Sequence, residues 1–214
     1  MVDKFQKCID IITDEYTAGD FYREVYEAKK DYFESLGVIS EDDPDFENQM
    51  DVFMGWYLFD RPLDKHDLPP VFLYYRKNAP TFTPEQDALF RALTMVKHSV
   101  FELVKQKDTS IMVRDLSTGE KYDVKDVEFK AGFSKGDVFE ARLVPDGKAY
   151  VFANGFCFHP NEAFKFIDSQ MKKIREGDAA QRTKLLVKLG QMNNKQRRFP
   201  HIDTQYIYTL TPKF

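Results

Sequence analysis

The hydrophobic period of this chain changes twice, from about 3.6 residues to 2 near residue 99 and back near residue 160, and that double change limits the fold more than any single motif. Before it, apolar side chains recur at helical spacing. Phe5, Cys8, Ile9, Ile12 and Tyr16 form one stripe. Phe21, Val25, Ala28, Tyr32 and Leu36 form a second, with Asp20 placed as N-cap and Gly37 as C-terminal stop. Acidic residues from Glu41 to Asp45 suit the start of a third helix carrying Phe46, Met50, Phe53, Met54, Tyr57 and Leu58. That helix must end before Arg61-Pro62, since a residue preceding proline is pushed out of the α region. Pro69-Pro70 opens a short helix, and Thr83-Pro84-Glu85-Gln86 has the residues of a capping box.

Between the two changes the pattern is that of strands: Val100–Val104, Ile111–Arg114, Lys121–Val124, Val138–Val144, Ala149–Phe152 and Phe156–Phe158. Ser117-Thr118-Gly119, Asp146-Gly147 and Asn154-Gly155 supply turns. Short strands at this density predict a small antiparallel, barrel-like meander over about residues 99–158, SH3-like or OB-like in size. Helical spacing returns with Phe164, Ile167, Met171 and Ile174, and restarts after Gly177-Asp178 with Leu185, Leu186 and Leu189. Residues 193–204 read as a polar connector, and Tyr206–Leu210 as a last strand or extended tail. The expected fold class is α+β in one compact domain: acidic helices over 1–97, the β unit over 98–160, and a basic helical tail over 161–214.

Charge follows the same division. Residues 1–60 carry 16 acids against 5 bases, and residues 161–214 carry 11 bases against 5 acids, within a net charge of −4. The first reading is that acidic front and basic tail face each other in the fold; the second is that the tail meets an anionic partner. Two cysteines, Cys8 and Cys157, build neither a disulfide framework nor a four-cysteine zinc site. With no apolar run of bilayer length and no secretory signature at the start, a cytoplasmic protein without a membrane partner is expected.

Phe53-Met54-Gly55-Trp56-Tyr57-Leu58-Phe59-Asp60 resembles the F-x-x-W-F-x-F-D opening of an uncharacterised bacterial domain that often sits upstream of the cysteine-rich SEC-C zinc motif. Val100–Val104, Val113–Glu120, and Lys135-Gly136-Asp137 followed by Ala141–Val144 match later parts of that domain in order. The resemblance covers about half the chain and implies no known activity. The zinc motif itself is absent here.

No dinucleotide fingerprint, P-loop, zincin helix or nucleophile elbow occurs. Trp56 and Asp60 are four residues apart on one helix face beside Arg61, which gives a candidate base; the plainer role is Trp56 filling the seam between helices and barrel while Asp60 caps the helix or pairs with an arginine. Arg114-Asp115-Leu116-Ser117-Thr118-Gly119 falls one residue short of a cyclic-dinucleotide signature and reads as a turn. Cys157 and His159 share one strand face and offer two metal ligands, but the sequence supplies no third, so neither a metal site nor a cofactor is expected. Lys172, Lys173, Arg175, Lys195, Arg197 and Arg198, followed by Phe199, His201, Tyr206 and Tyr208, have the composition of a strand-binding surface. A pI near 5.6 speaks against a dedicated nucleic-acid module.

Three functions are therefore weighed. The first is a non-catalytic interaction or regulatory module that binds a protein partner where helices meet barrel, through Trp56, Asp60, Arg61, Arg114 and Asp115 as contact residues. The alternative is RNA or single-stranded DNA binding by the barrel and basic C-terminal segment. The third is a divalent-metal-dependent hydrolase, which requires Asp60, Asp115 and Asp137 to converge.

Overall fold

Helical spacing in the first 96 residues produces five α-helices among the described residues. In the computed structural model, which describes residues 3–36, 43–125, 132–174 and 179–211, these are α1 (Asp3–Thr17), α2 (Tyr22–Leu36), α3 (Phe46–Phe59), α4 (Pro70–Asn78) and α5 (Pro84–Leu93). Pro70 opens α4, and α5 carries the full capping box: Thr83 accepts from the Gln86 amide while Gln86 reaches back to the Thr83 amide. Asp20 does not cap α2. It lies inside a 3-10 turn, Gly19–Phe21, that feeds the helix directly, with Gly19 at φ 56° reversing the chain after α1. Gly37 lies outside the described residues.

Helix α3 is covered on several sides, burying Phe53, Gly55, Tyr57, Leu58 and Phe59. The Tyr57 hydroxyl, deep in this core, donates to the Tyr16 carbonyl at 2.8 Å, so its polar end is satisfied. No helix among the described residues is long and apolar enough to cross a membrane.

The strands are β1 (Lys97–Gln106), β2 (Ser110–Asp115), β3 (Lys121–Lys125), β4 (Val138–Asp146), β5 (Ala149–Phe152) and β6 (Cys157–His159). A plain meander would pair β3 with β4. Instead β4 crosses to β1, with Val100 opposite Glu140, and β5 returns beside β3 in parallel through Val124 and Tyr150. The order β1-β2-β3-β5-β4 closes on β1 as a five-stranded barrel, and β6 extends it along the first half of β4. Phe101, Leu103, Ile111, Val113, Phe139, Ala141 and Leu143 fill the interior.

Strand β4 organises the rest. Its residues alternate, so Phe139, Ala141 and Leu143 point into the barrel while Val138, Glu140, Arg142 and Val144 point out. In an isolated barrel the outer set would give Glu140 and Arg142 to water. Here the helices roof that face, and every residue from Val138 to Val144 is buried. Two opposite charges are thereby shut between layers.

The chain closes through α6 (Phe164–Met171), α7 (Ala179–Arg198) and α8 (Thr204–Ile207). Residues 193–198 are not connector. Helix α7 runs through them because polar groups in its second half fasten it: Asn193 donates to the Phe158 carbonyl, Asn194 to the Leu36 carbonyl at 2.8 Å, and Gln191 to the Ser35 carbonyl at 3.0 Å. Nor is there a final strand at Tyr206–Leu210. Asp203 caps a single helical turn by accepting from the Gln205 amide, which buries Ile207 and Tyr208 against the C-terminal helices. Arg197 pairs with Asp43 and Asp45, so acidic front and basic tail do meet at this point.

Candidate functional site

Where α3 crosses the outer face of β4, four ionisable side chains converge. Asp60, at the C-terminal end of α3, pairs with the Arg142 guanidinium and stands 3.1 Å from His98 Nδ1. The other ring nitrogen of His98, Nε2, lies 2.8 Å from Glu140 Oε1. Antiparallel pairing of β1 and β4 sets His98 opposite Arg142, while Glu140, two residues along β4, emerges on the same face. Arg142 is 1% exposed, and Asp60 compensates its buried charge.

Each group is tuned by its neighbours. Burial works to raise the Asp60 pKa, and the Arg142 and His98 charges outweigh it, holding this carboxyl well below the usual carboxylate range. Burial and the Arg142 charge oppose protonation of His98, yet its two flanking carboxylates prevail and its pKa is raised. An imidazolium in that position donates both N–H groups, one to Asp60 and one to Glu140. The 3.3 Å approach of Arg142 Nη2 to His98 Nδ1 is then a contact of two donors that share Asp60. A protonated His98 adds a second positive charge to that of Arg142 beside the two carboxyl groups.

Gly55 is part of this geometry. A Cβ there would stand 2.6 Å from Arg142 Nη1, so the guanidinium can lie against α3 only where the helix lacks a side chain. Glycine inside a helix costs about 1 kcal/mol relative to alanine, and here the close approach explains its presence.

Beside the cluster, a cavity of about 270 Å³ opens between α2, α3, α7 and the strands β4 and β6. At about 30 Å³ per molecule that is space for about nine waters. Its walls include Tyr32, Asn48, Trp56, Glu140, Cys157 and Asn193. Tyr32 and Trp56 pack 5.0 Å apart at an interplanar angle of 35°. Arg142 Nε is buried there with no hydrogen-bond partner among the described residues. Burial, then the Glu140 and Asp45 charges, push the Cys157 thiol well up, while burial pulls His159 down to about 4. At neutral pH the first is a thiol and the second an uncharged imidazole.

The residues singled out from the sequence are not gathered at one rim. Trp56 does line the cavity at the seam, and Asp60 does pair with an arginine. Arg61 turns away to Glu24 and Asp64, at 2.8 and 2.9 Å. Arg114 pairs with Glu102 across the β1–β2 ladder. Asp115 is buried, accepting from Ser99 and from the Ser117 amide and hydroxyl, while Gly119 at φ 78° completes the expected turn. Asp137 accepts from the Ser134 amide at 2.6 Å. The three aspartates required for a metal-dependent hydrolase are thus committed to separate partners. Among the described residues, the metal-ligating types that do converge are Glu140, Cys157 and His159.

Of the basic tail, Lys172 pairs with Asp168 and Arg197 with Asp43 and Asp45, while Arg175 lies outside the described residues. Lys195 and Arg198 sit in the last turn of α7, where positive charge suits the macrodipole. Phe199 and Tyr206 are exposed, whereas Tyr208 is buried against His159. Residue spacing assigns no site role to His98, Glu140 or Arg142, although Arg142 lies within the Ala141–Val144 match. Their local signals are a pair of opposite charges at alternate positions of an apolar strand and a glycine inside a tryptophan-bearing helix.

A family model described as a family of unknown function (DUF7986) matches residues 9–189. No curated protein and no solved structure matches the chain.

Proposed function

We propose that this chain, which belongs to the family of unknown function DUF7986, is a non-catalytic binding module whose ligand is held where helices meet barrel. The observation that carries the reading is the cavity beside the charge cluster. It is a concave site with apolar and aromatic walls and a few convergent polar groups, the ordinary make-up of a small-molecule pocket. Its size fits a metabolite better than a peptide. Paired charges beside Tyr32 and Trp56 favour a planar, uncharged heterocycle able to donate to Glu140. The absence of a catalytic role rests on the same cluster, where Asp60 and Arg142 neutralise each other. A bound ligand would touch α2, α3 and α7 together, so occupancy would fasten α7 to the barrel and alter the surface offered to a protein partner.

Oligonucleotide binding draws less support. Lys107, Arg114 and Lys125 on the barrel carry the carboxylate partners Asp123, Glu102 and Asp146, which phosphates would have to displace.

Trp56 is the chain's single tryptophan and lines the cavity, so its emission reports occupancy. With chelator-treated protein, adenosine, uridine or nicotinamide at millimolar concentration is expected to change Trp56 emission saturably, whereas L-glutamate and L-arginine are not. Gly190→Leu places a side chain on the α7 wall of the cavity and should abolish the response while the protein stays folded. If all three heterocycles leave the emission unchanged, or if the response survives Gly190→Leu, the reading fails. Salt-sensitive binding of a labelled oligonucleotide would favour the alternative.

A further inference from the structure

The register between β4 and β6 sets Glu140 opposite Cys157 and Val138 opposite His159. Side chains two residues apart share a strand face, so Cys157 and His159 emerge beside Glu140, on the side that the helices cover. One ligand atom from each of the three lies within 4.8 Å of the other two. Ligand atoms on a tetrahedral zinc ion are about 3.5 Å apart, given bonds of roughly 2.0–2.3 Å, so the three must close in by no more than about 1.3 Å.

A second observation points to a ligand. His159 is 6% exposed, and its Nδ1 lies 3.0 Å from the Tyr208 hydroxyl. Its Nε2 is buried without a hydrogen-bond partner among the described residues. A buried ring nitrogen without a partner is costly, whereas a ring held through Nδ1 with a bare Nε2 is the usual arrangement of a metal-binding histidine. Glu140 commits Oε1 to His98, which leaves its second oxygen. Cys157 and Glu140 both face the cavity.

We infer that Glu140, Cys157 and His159 form a binding site for a zinc-class divalent cation at the wall of the cavity. Thiolate, imidazole and carboxylate together suit a borderline-soft ion, and a hard cation such as magnesium or calcium would prefer oxygen alone. On binding, the Cys157 sulfur exchanges its proton, released to solvent, for the metal. Three protein ligands leave a fourth position, open to water or to a donor atom of a bound molecule. The site depends on the β4–β6 register and stands whether or not a heterocycle occupies the cavity.

Cobalt(II) titrated into the reduced protein provides the test. A single equivalent is expected to bring up the thiolate-to-cobalt charge-transfer band and the visible bands of a four-coordinate ion, and zinc should bleach both. Cys157→Ser, close to isosteric, should remove the charge-transfer band while leaving the melting temperature nearly unchanged. His159→Gln and Glu140→Gln should each weaken binding at least tenfold. Cys8→Ala, on α1 and outside the three-ligand group, should retain the full spectrum. Failure of cobalt to give the band, or survival of the band in Cys157→Ser, would overturn the assignment. Because the Trp56 experiment uses chelator-treated protein, neither result bears on the small-molecule reading.

Discussion

Arg142→Met is expected to lower the unfolding free energy by about 3–5 kcal/mol, among the largest losses any single substitution in this protein should produce. Methionine keeps most of the side-chain volume, so the loss reports charge rather than packing. Without the guanidinium, Asp60 keeps only His98 to answer its carboxylate, and the buried cluster loses a positive charge. Urea unfolding at neutral pH measures it. Arg61→Met serves as the control, because Arg61 pairs with Glu24 and Asp64 nearer the surface and should cost about 1 kcal/mol.

The second large effect concerns the loop between β5 and β6. Gly155 has φ 88°, and a Cβ there would meet the Val52 amide nitrogen at 2.8 Å and the Asp51 carbonyl carbon at 2.9 Å. Those are backbone atoms of α3 and cannot rotate aside. Asn48 clamps the same loop, accepting from the Phe156 amide at 3.0 Å and donating to its carbonyl at 2.8 Å. Gly155→Ala therefore combines left-handed backbone strain with displacement of the loop from the helix, and is expected to cost on the order of 3 kcal/mol. Gly119→Ala isolates the first contribution. Its φ is 78° with no atom within 4 Å of the added carbon, so about 1 kcal/mol is expected. Thermal unfolding of the two variants side by side separates strain from steric conflict.

Much of the fold is legible in residue spacing. Phe5, Cys8, Ile12 and Tyr16 specify α1, Thr83 and Gln86 specify the start of α5, and the alternation of β4 specifies which residues enter the barrel. Local chemistry of this kind reads directly because its partners are a few residues apart. Helix α7 reads less well: Asn193 and Asn194 look like loop residues until Phe158 and Leu36, distant in sequence, supply the carbonyls they bond. The site is least legible of all. Alternation shows that Glu140 and Arg142 leave the barrel together, and says nothing about the helices that cover them. Asp60 and Arg142 are 82 residues apart, and no spacing rule links them. Cys157 and His159 are visible as a pair on one strand, whereas their third neighbour, Glu140, depends on the β4–β6 register. The short match at Phe53–Asp60 does fall on the helix that carries Gly55, Trp56 and Asp60, so the motif and the cluster occupy one element.

Helix and barrel meet at the junction through a shared pair of charges, Asp60 and Arg142. A double-mutant cycle with Asp60→Asn, Arg142→Met and the combined variant, followed by urea unfolding, measures that meeting directly. A favourable coupling energy on the order of 2 kcal/mol is expected, with the double variant more stable than the sum of single losses predicts. Additivity within about 0.5 kcal/mol would mean that the two side chains do not interact, and would contradict the account.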